Sequence, residues 1–199
     1  MTAFLIGWIT FVVTAASPGP SVFAIMGASL AHGRGAGVTF ASGVCTGSVF
    51  WGIVSATGIG ILLQVGWALF ALKLAGAAYL LWLAFKAARS ALAPTHAETR
   101  IPSSGFFAAG LGLHLTNPKA VFGWAATIAV GLPNGASPYE IMIFLAVCAI
   151  LAVVINIGYA LAFSMAPVIK MYQQVRRWVE GTFAALFAAA GIGLLAWRP

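Results

Sequence analysis

Long apolar runs follow one another along this chain, separated by short polar or basic connections, a pattern that leaves room for little besides helices. Windows of about 20 apolar residues, the length that crosses a bilayer core, fall at roughly 3–30, 37–64, 67–92, 105–130, 138–166 and 178–197. They predict an all-α integral membrane protein with about six transmembrane helices. Two of the windows are interrupted. Ser17-Pro18-Gly19-Pro20 lies in the middle of the first, and Asn117-Pro118-Lys119 lies inside the fourth. Proline lacks an N–H and clashes with the preceding turn, so a helix stops before it, yet proline suits the first position of a new helix. Asn117 followed by Pro118 therefore reads as an N-cap and a first helical residue, and Ser17-Pro18 with Gly19-Pro20 as two overlapping starts of the same kind.

No domain boundary is visible, so residues 1–199 read as a single transmembrane domain. The most polar stretch, Ala93 to Ser104, nevertheless divides the chain nearly in half, into a repeat of about 1–92 and a repeat of about 105–199. Each half holds about three spans, and an odd number places the second half upside down relative to the first. The breaks fall in the first span of each half. Two inverted three-helix repeats with broken first and fourth helices are thus expected, with the half-helix N-termini facing one another at mid-membrane.

Composition agrees with the class: 62% of residues are hydrophobic, 7% are charged, and the mean hydropathy is +1.02. Ten Lys+Arg against three Asp+Glu would suggest nucleic-acid binding in a soluble chain, but here the basic residues are dispersed among connections, and no nucleic-acid partner is expected. They report orientation instead. The connections around His32-Gly33-Arg34, Lys86 to Arg100 and Lys170 to Arg177 are basic, whereas those near Gly66 and Leu132 to Ser137 are uncharged. By the positive-inside tendency the basic connections are cytoplasmic and both termini external. Met1 to Ala16 has no basic leader and reads as a retained span. Pro167 to Trp178 mixes apolar and basic residues and is expected along the cytoplasmic interface.

The chain has no Asp, and Glu occurs only at positions 98, 140 and 180, near expected span ends. Paired carboxylates, a metal cluster or a phosphate loop cannot be assembled from that set, so neither an enzyme nor a cofactor or metal is expected. Lys119 stands out. It lies about 14 residues from the basic end of its span, roughly 21 Å along a helix, too far for its stem to reach the interface comfortably. Together with two helix N-termini it predicts a small desolvated anion site suited to a carboxylate, built from Ser17, Pro18, Gly19, Pro20, Ser21, Asn117, Pro118 and Lys119. Lys73, Tyr79, His114 and Asn156 are candidates for lining or gating the path, His114 also for carrying a coupling proton. Gly43 and Gly47 form a GxxxG pair suited to close helix packing.

The motifs, taken in order, resemble those of the LysE/RhtB amino-acid exporters: Ser17-Pro18-Gly19-Pro20, the glycine-rich run Gly33 to Gly52, Lys73-Leu74-Ala75-Gly76-Ala77-Ala78-Tyr79-Leu80 and Asn117-Pro118-Lys119-Ala120. The likeness covers almost the whole chain. Ser21, where many relatives have Asn, and Ala84, where a Gly often stands, depart from the pattern. The resemblance implies a multi-pass exporter in the bacterial inner membrane, moving amino acids outward at the expense of protons and with room for a homo-oligomer. Because no acid lies at mid-span, a second cationic group on the substrate would be uncompensated, which selects small neutral amino acids. Two rival readings remain at this stage. Cys45 and Cys148, at matching places in the two halves, suit a transmembrane thiol–disulfide electron conduit, although neither has a Cys-x-x-Cys partner or a nearby cation. A non-transporting assembly subunit is the other.

Overall fold

The computed structural model describes residues 2–62, 66–92, 103–133 and 135–196, with the side chains of some residues inside those helices, Lys73 among them, outside the described set. The described residues form helices and no strands: α1 (Thr2–Ala16), α2 (Pro20–Leu62), α3 (Gly66–Leu92), α4 (Phe106–Leu115), α5 (Pro118–Gly131), α6 (Pro138–Ala162) and α7 (Ala166–Ala196). Both expected breaks are present. α1 stops at Ala16 and α2 begins at Pro20, while α4 stops at Leu115 and α5 begins at Pro118. A third interruption lies inside α2 at Gly33, with φ 81° and ψ 178°. Side chains rarely adopt that φ, so glycine separates the end of the first expected window from the second helix without strain.

Two helical stretches, Pro20–Gly58 and Pro138–Ala162, are each long and apolar enough to cross a membrane. α1 and α4 are apolar but short, each ending just before a proline break. Large apolar side chains face outward: Ile9, Ile150, Val154 and Ile192 are all 60% exposed or more. Such a surface aggregates in water and is the expected one in lipid.

Two compact units are distinguished by their packing, and neither follows the sequence halves. The first comprises residues 1–59 and 99–166, the second residues 60–98 and 167–199. Each unit thus takes corresponding segments from both halves. In the first unit α1 packs on α5 through paired glycines: a Cβ on Gly131 would lie 2.9 Å from the Gly7 Cα. Trp8 stacks on Phe144 of α6 with ring centroids 6.0 Å apart. α2 meets α4 equally closely, since a Cβ on Gly43 would collide with the Phe107 carbonyl, and one on Gly110 with that of Phe40. Gly47 faces His114 in the same seam. Small residues let helix backbones approach where lipid supplies no hydrophobic drive between helices.

The second unit contains α3 and α7. Leu83, Ala84 and Phe187 form its buried cluster, with Tyr79 packed against it. Pro167 to Trp178, expected as a separate interfacial segment, is continuous with the last helix in α7. Glu180 is also more deeply placed than a span end suggests. It is 1% exposed and pairs with Arg176 one turn earlier at 3.1 Å. Arg176 in turn donates to the Ser90 carbonyl at the end of α3. Burial of both charges requires that pairing.

Candidate functional site

The two breaks, about a hundred residues apart in sequence, come together in the first unit. Asn117 caps α5 in extended conformation, and its Oδ1 accepts the Lys119 N–H at 3.1 Å. That contact fixes which way the amide points, so Nδ2 faces the other break and donates to Ser21 Oγ at 3.3 Å. Ser21 Oγ lies 3.2 Å from His114 Nδ1, on the last turn of α4. Lys119, the second residue of α5, reaches across to the first break and donates from Nζ to the Ser17 carbonyl at 2.5 Å. Gly19 lies beneath its stem: a Cβ there would be 3.1 Å from Nζ and 3.2 Å from Cδ. The glycine keeps that approach open.

The charge on Lys119 is buried, with the side chain 9% exposed. It ends at the carbonyl that follows α1, the negative end of that helix dipole, while the positive ends of α2 and α5 open onto the same place. Each break therefore offers both an acceptor end and a donor end. A bare anion site was expected; the geometry provides for both signs, with the lysine resting on the acceptor side.

A cavity of about 50 Å³ opens beside this junction. Gly19, Ser21, Ser48, His114, Asn117, Lys119 and Asn156 supply polar or backbone-exposing lining, and Phe11, Thr14, Gly123 and Trp124 are among its other walls. Asn156 is buried on α6 and donates to the Ala152 carbonyl one turn earlier at 2.8 Å. Ser17 lies just behind the cavity, its hydroxyl donating to the Thr14 carbonyl at 2.8 Å. Pro18 and Pro118 shape the breaks, and Pro20 opens α2.

Of the residues singled out from the sequence, the structure brings together Ser17, Gly19, Ser21, His114, Asn117, Lys119 and Asn156. Tyr79 belongs to the second unit and does not line the cavity. Lys73 lies on α3, and its side chain falls outside the described residues. Gly43 and Gly47 sit at the α2–α4 seam. Several contributors on α1, α2 and α5 were missed. Trp124 is locked by donating from Nε1 to Ser48 Oγ at 3.0 Å, Thr14 faces the cavity from α1, and Gly123 leaves it open from α5. Only their distance from the breaks signals them: Thr14 lies one turn before Ser17, and Gly123 one turn after Lys119.

Cys45 and Cys148 are free thiols; Cys45 Sγ contacts the Ala152 carbonyl at 3.5 Å, and Cys148 is a member of an apolar cluster. They behave as small buried hydrophobes. Among the described residues no three His, Cys, Asp or Glu side chains gather, and the chemistry available at the cavity is that of lysine, asparagine, serine, histidine and helix ends.

Helices interrupted at a charged, polar cavity inside an apolar body define a membrane transporter, not an enzyme. The particular family follows from comparison with known proteins. The chain belongs to the LysE type translocators, whose family model matches residues 12–197. It is 28% identical over 196 residues to the threonine efflux protein of Salmonella typhi, covering 92% of this chain and 93% of that one. It is 30% identical over 193 residues to the homoserine/homoserine lactone efflux protein of Salmonella typhimurium, with 92% and 93% covered. An uncharacterized membrane protein of Escherichia coli, YahN, is 27% identical over 190 residues, with 93% and 85% covered. No solved structure matches.

Proposed function

We propose that this protein exports small neutral amino acids from the cytoplasm across the bacterial inner membrane, driven by the proton-motive force, with both termini periplasmic. The observation that carries the reading is the Lys119 Nζ contact with the Ser17 carbonyl, which links the two helix breaks beside a cavity. Relatives named for the efflux of threonine and of homoserine support the substrate class.

An amino acid presents a carboxylate and an ammonium, and the junction holds a partner for each. The carboxylate draws Lys119 Nζ away from the Ser17 carbonyl and settles against the N-termini of α2 and α5. The released carbonyl and the Asn156 carboxamide oxygen then accept the ammonium. Substrate binding is thus an exchange of partners, and the buried charge is compensated before and after it. About six spans in two inverted repeats, 1–92 and 105–199, would carry this site through alternating access.

Among the described residues, no acidic side chain lines the cavity to meet a second cation on the substrate. Glu140 is exposed and engaged with Ser137 at the start of α6, and Glu180 is paired with Arg176 in the second unit. The test is efflux from cells loaded with dipeptides. Neutral amino acids leave faster when the protein is expressed, and excess intracellular lysine or arginine does not compete. Competition by the basic amino acids equal to that of the neutral ones would show an acidic group in the path and refute the neutral selectivity.

A further inference from the structure

Three buried side-chain polar atoms of the first unit have, among the described residues, no hydrogen-bond partner: His114 Nε2, Thr127 Oγ1 and Trp51 Nε1. A buried polar group left unpaired costs stability, so each calls for a reason. His114 borders the cavity. The other two lie beyond it. Thr127 is three residues past Trp124 on α5, and Trp51 three residues past Ser48 on α2, about 4.5 Å further along each helix.

Thr127 is the sharper case. It is 0% exposed, and a helical threonine has an acceptor at hand in the carbonyl four residues earlier. Thr10, Thr14, Thr46 and Thr57 all donate to theirs. The Thr127 hydroxyl is bonded to no carbonyl, and it is enclosed between two aromatic layers. The first is Trp124, which also lines the cavity. Its Nε1 donates to Ser48 Oγ, its six-membered ring lies against Gly52, where a Cβ would be 2.8 Å from Cη2, and Phe11 packs on it with ring centroids 4.9 Å apart. The indole is thereby laid along a full turn of α2. The second layer is Phe144, whose ring covers the Gly7–Gly131 contact, a Cβ on either glycine falling within 2.8 Å of it.

We infer that the Trp124 indole is the gate on the release side of the cavity, and that the Thr127 hydroxyl and the Trp51 N–H line the path behind it and find partners only while substrate passes. Both groups donate, so both suit a carboxylate that has just left Lys119. While the indole stays on Ser48, the apolar layers exclude the cargo; when it swings off, the two donors come within reach. This rests on the exporter reading and adds to it the residues by which cargo leaves. In the topology proposed above, α5 leads from the break to the uncharged connection at Leu132 to Ser137, which makes the path an outward one.

The test combines counterflow of labelled alanine, threonine and homoserine in liposomes with thermal unfolding in detergent. Thr127→Val keeps the shape of the side chain and removes only the hydroxyl. A hydroxyl that holds the fold together costs stability when it is removed, whereas one with no resting partner does not. Thr127→Val therefore melts at or above the parental temperature, while its counterflow slows by about two- to tenfold, the change that one hydrogen bond supplies. A second arm follows access. In a Cys45→Ser, Cys148→Ser background, Thr127→Cys is treated with a membrane-impermeant thiol reagent outside right-side-out membrane vesicles, and its modification is measured on the isolated protein. Saturating amounts of the three amino acids accelerate the modification. Adding Trp124→Phe, which keeps an aromatic ring but loses the tether to Ser48, makes it fast without them. Parental counterflow or a lowered melting temperature in Thr127→Val, or modification of Thr127→Cys that responds neither to substrate nor to Trp124→Phe, would overturn the gate while leaving export intact. No counterflow of any of the three amino acids by the parent protein would overturn the exporter reading and the gate with it.

Discussion

Replacing Lys119 by methionine separates a transport role from a structural one, because two opposing energies of similar size meet at this residue. The Nζ contact with the Ser17 carbonyl is a charge-assisted hydrogen bond in a buried place, contributing about 1.5–3 kcal/mol. Its loss also leaves that carbonyl short of a donor. Against this, placing a cation at membrane depth costs about 2.5–3.5 kcal/mol on insertion scales, a penalty that methionine escapes. Methionine has similar length and refills the stem's path over Gly19. The two terms nearly cancel, and for a chain of this size the melting temperature should stay within about 5 °C of the parent. Efflux, by contrast, loses the group that meets the carboxylate and should fall to background. Purified Lys119→Met is assayed by thermal unfolding in detergent and by counterflow in liposomes. Counterflow at the parental rate would refute the carboxylate role, and failure to insert or a collapse of the melting temperature would show the lysine to be a structural latch.

Reporter fusions after Gly66 and after Asn134 should read external, and those after Arg34, Thr99 and Gln173 internal; a cytoplasmic signal at Asn134 removes the inverted repeat. Gly43→Ala forces a methyl onto the Phe107 carbonyl and should lower stability by about 1–3 kcal/mol, whereas Gly112→Ala, with nothing within 4 Å, should be neutral or stabilising, as thermal unfolding of the two would show. The double substitution Cys45→Ser with Cys148→Ser should leave efflux unchanged, since neither thiol lines the cavity; loss of activity would revive the redox reading.

What could be read from the sequence was local. Asn117 caps α5 as its place before Pro118 requires, and Gly33 interrupts α2 where a basic connection was expected. Proline, asparagine and glycine act on their own backbone, so their effects survive without knowledge of neighbours. Lys119 was conspicuous as a charge in an apolar run, but its partner is a carbonyl, and every residue has one. No residue type could mark Ser17 for that role. The walls were hidden for a related reason: Thr14, Gly123 and Trp124 are ordinary membrane-helix residues whose importance comes from facing the same few ångströms of space. Glu180 shows the opposite case. It was read only as lying near a span end, whereas the structure pairs it with Arg176 at i,i+4, and its burial depends on how α3 and α7 pack.

The bond between Lys119 and Ser17 spans 102 positions of the chain, and this has a consequence for biosynthesis. At about 5–20 residues per second, the first break is synthesised roughly 5–20 s before its partner. During that interval α1, only 15 residues long, ends in a carbonyl that has no lysine and adjoins a half-helix that has no Asn117 to hold it. The early helices must therefore wait at the translocon or in contact with an insertase, incompletely committed to lipid, until the middle of the second half arrives. A nascent chain arrested before residue 117 should accordingly remain protease-accessible around Pro18, and one arrested well beyond it should not.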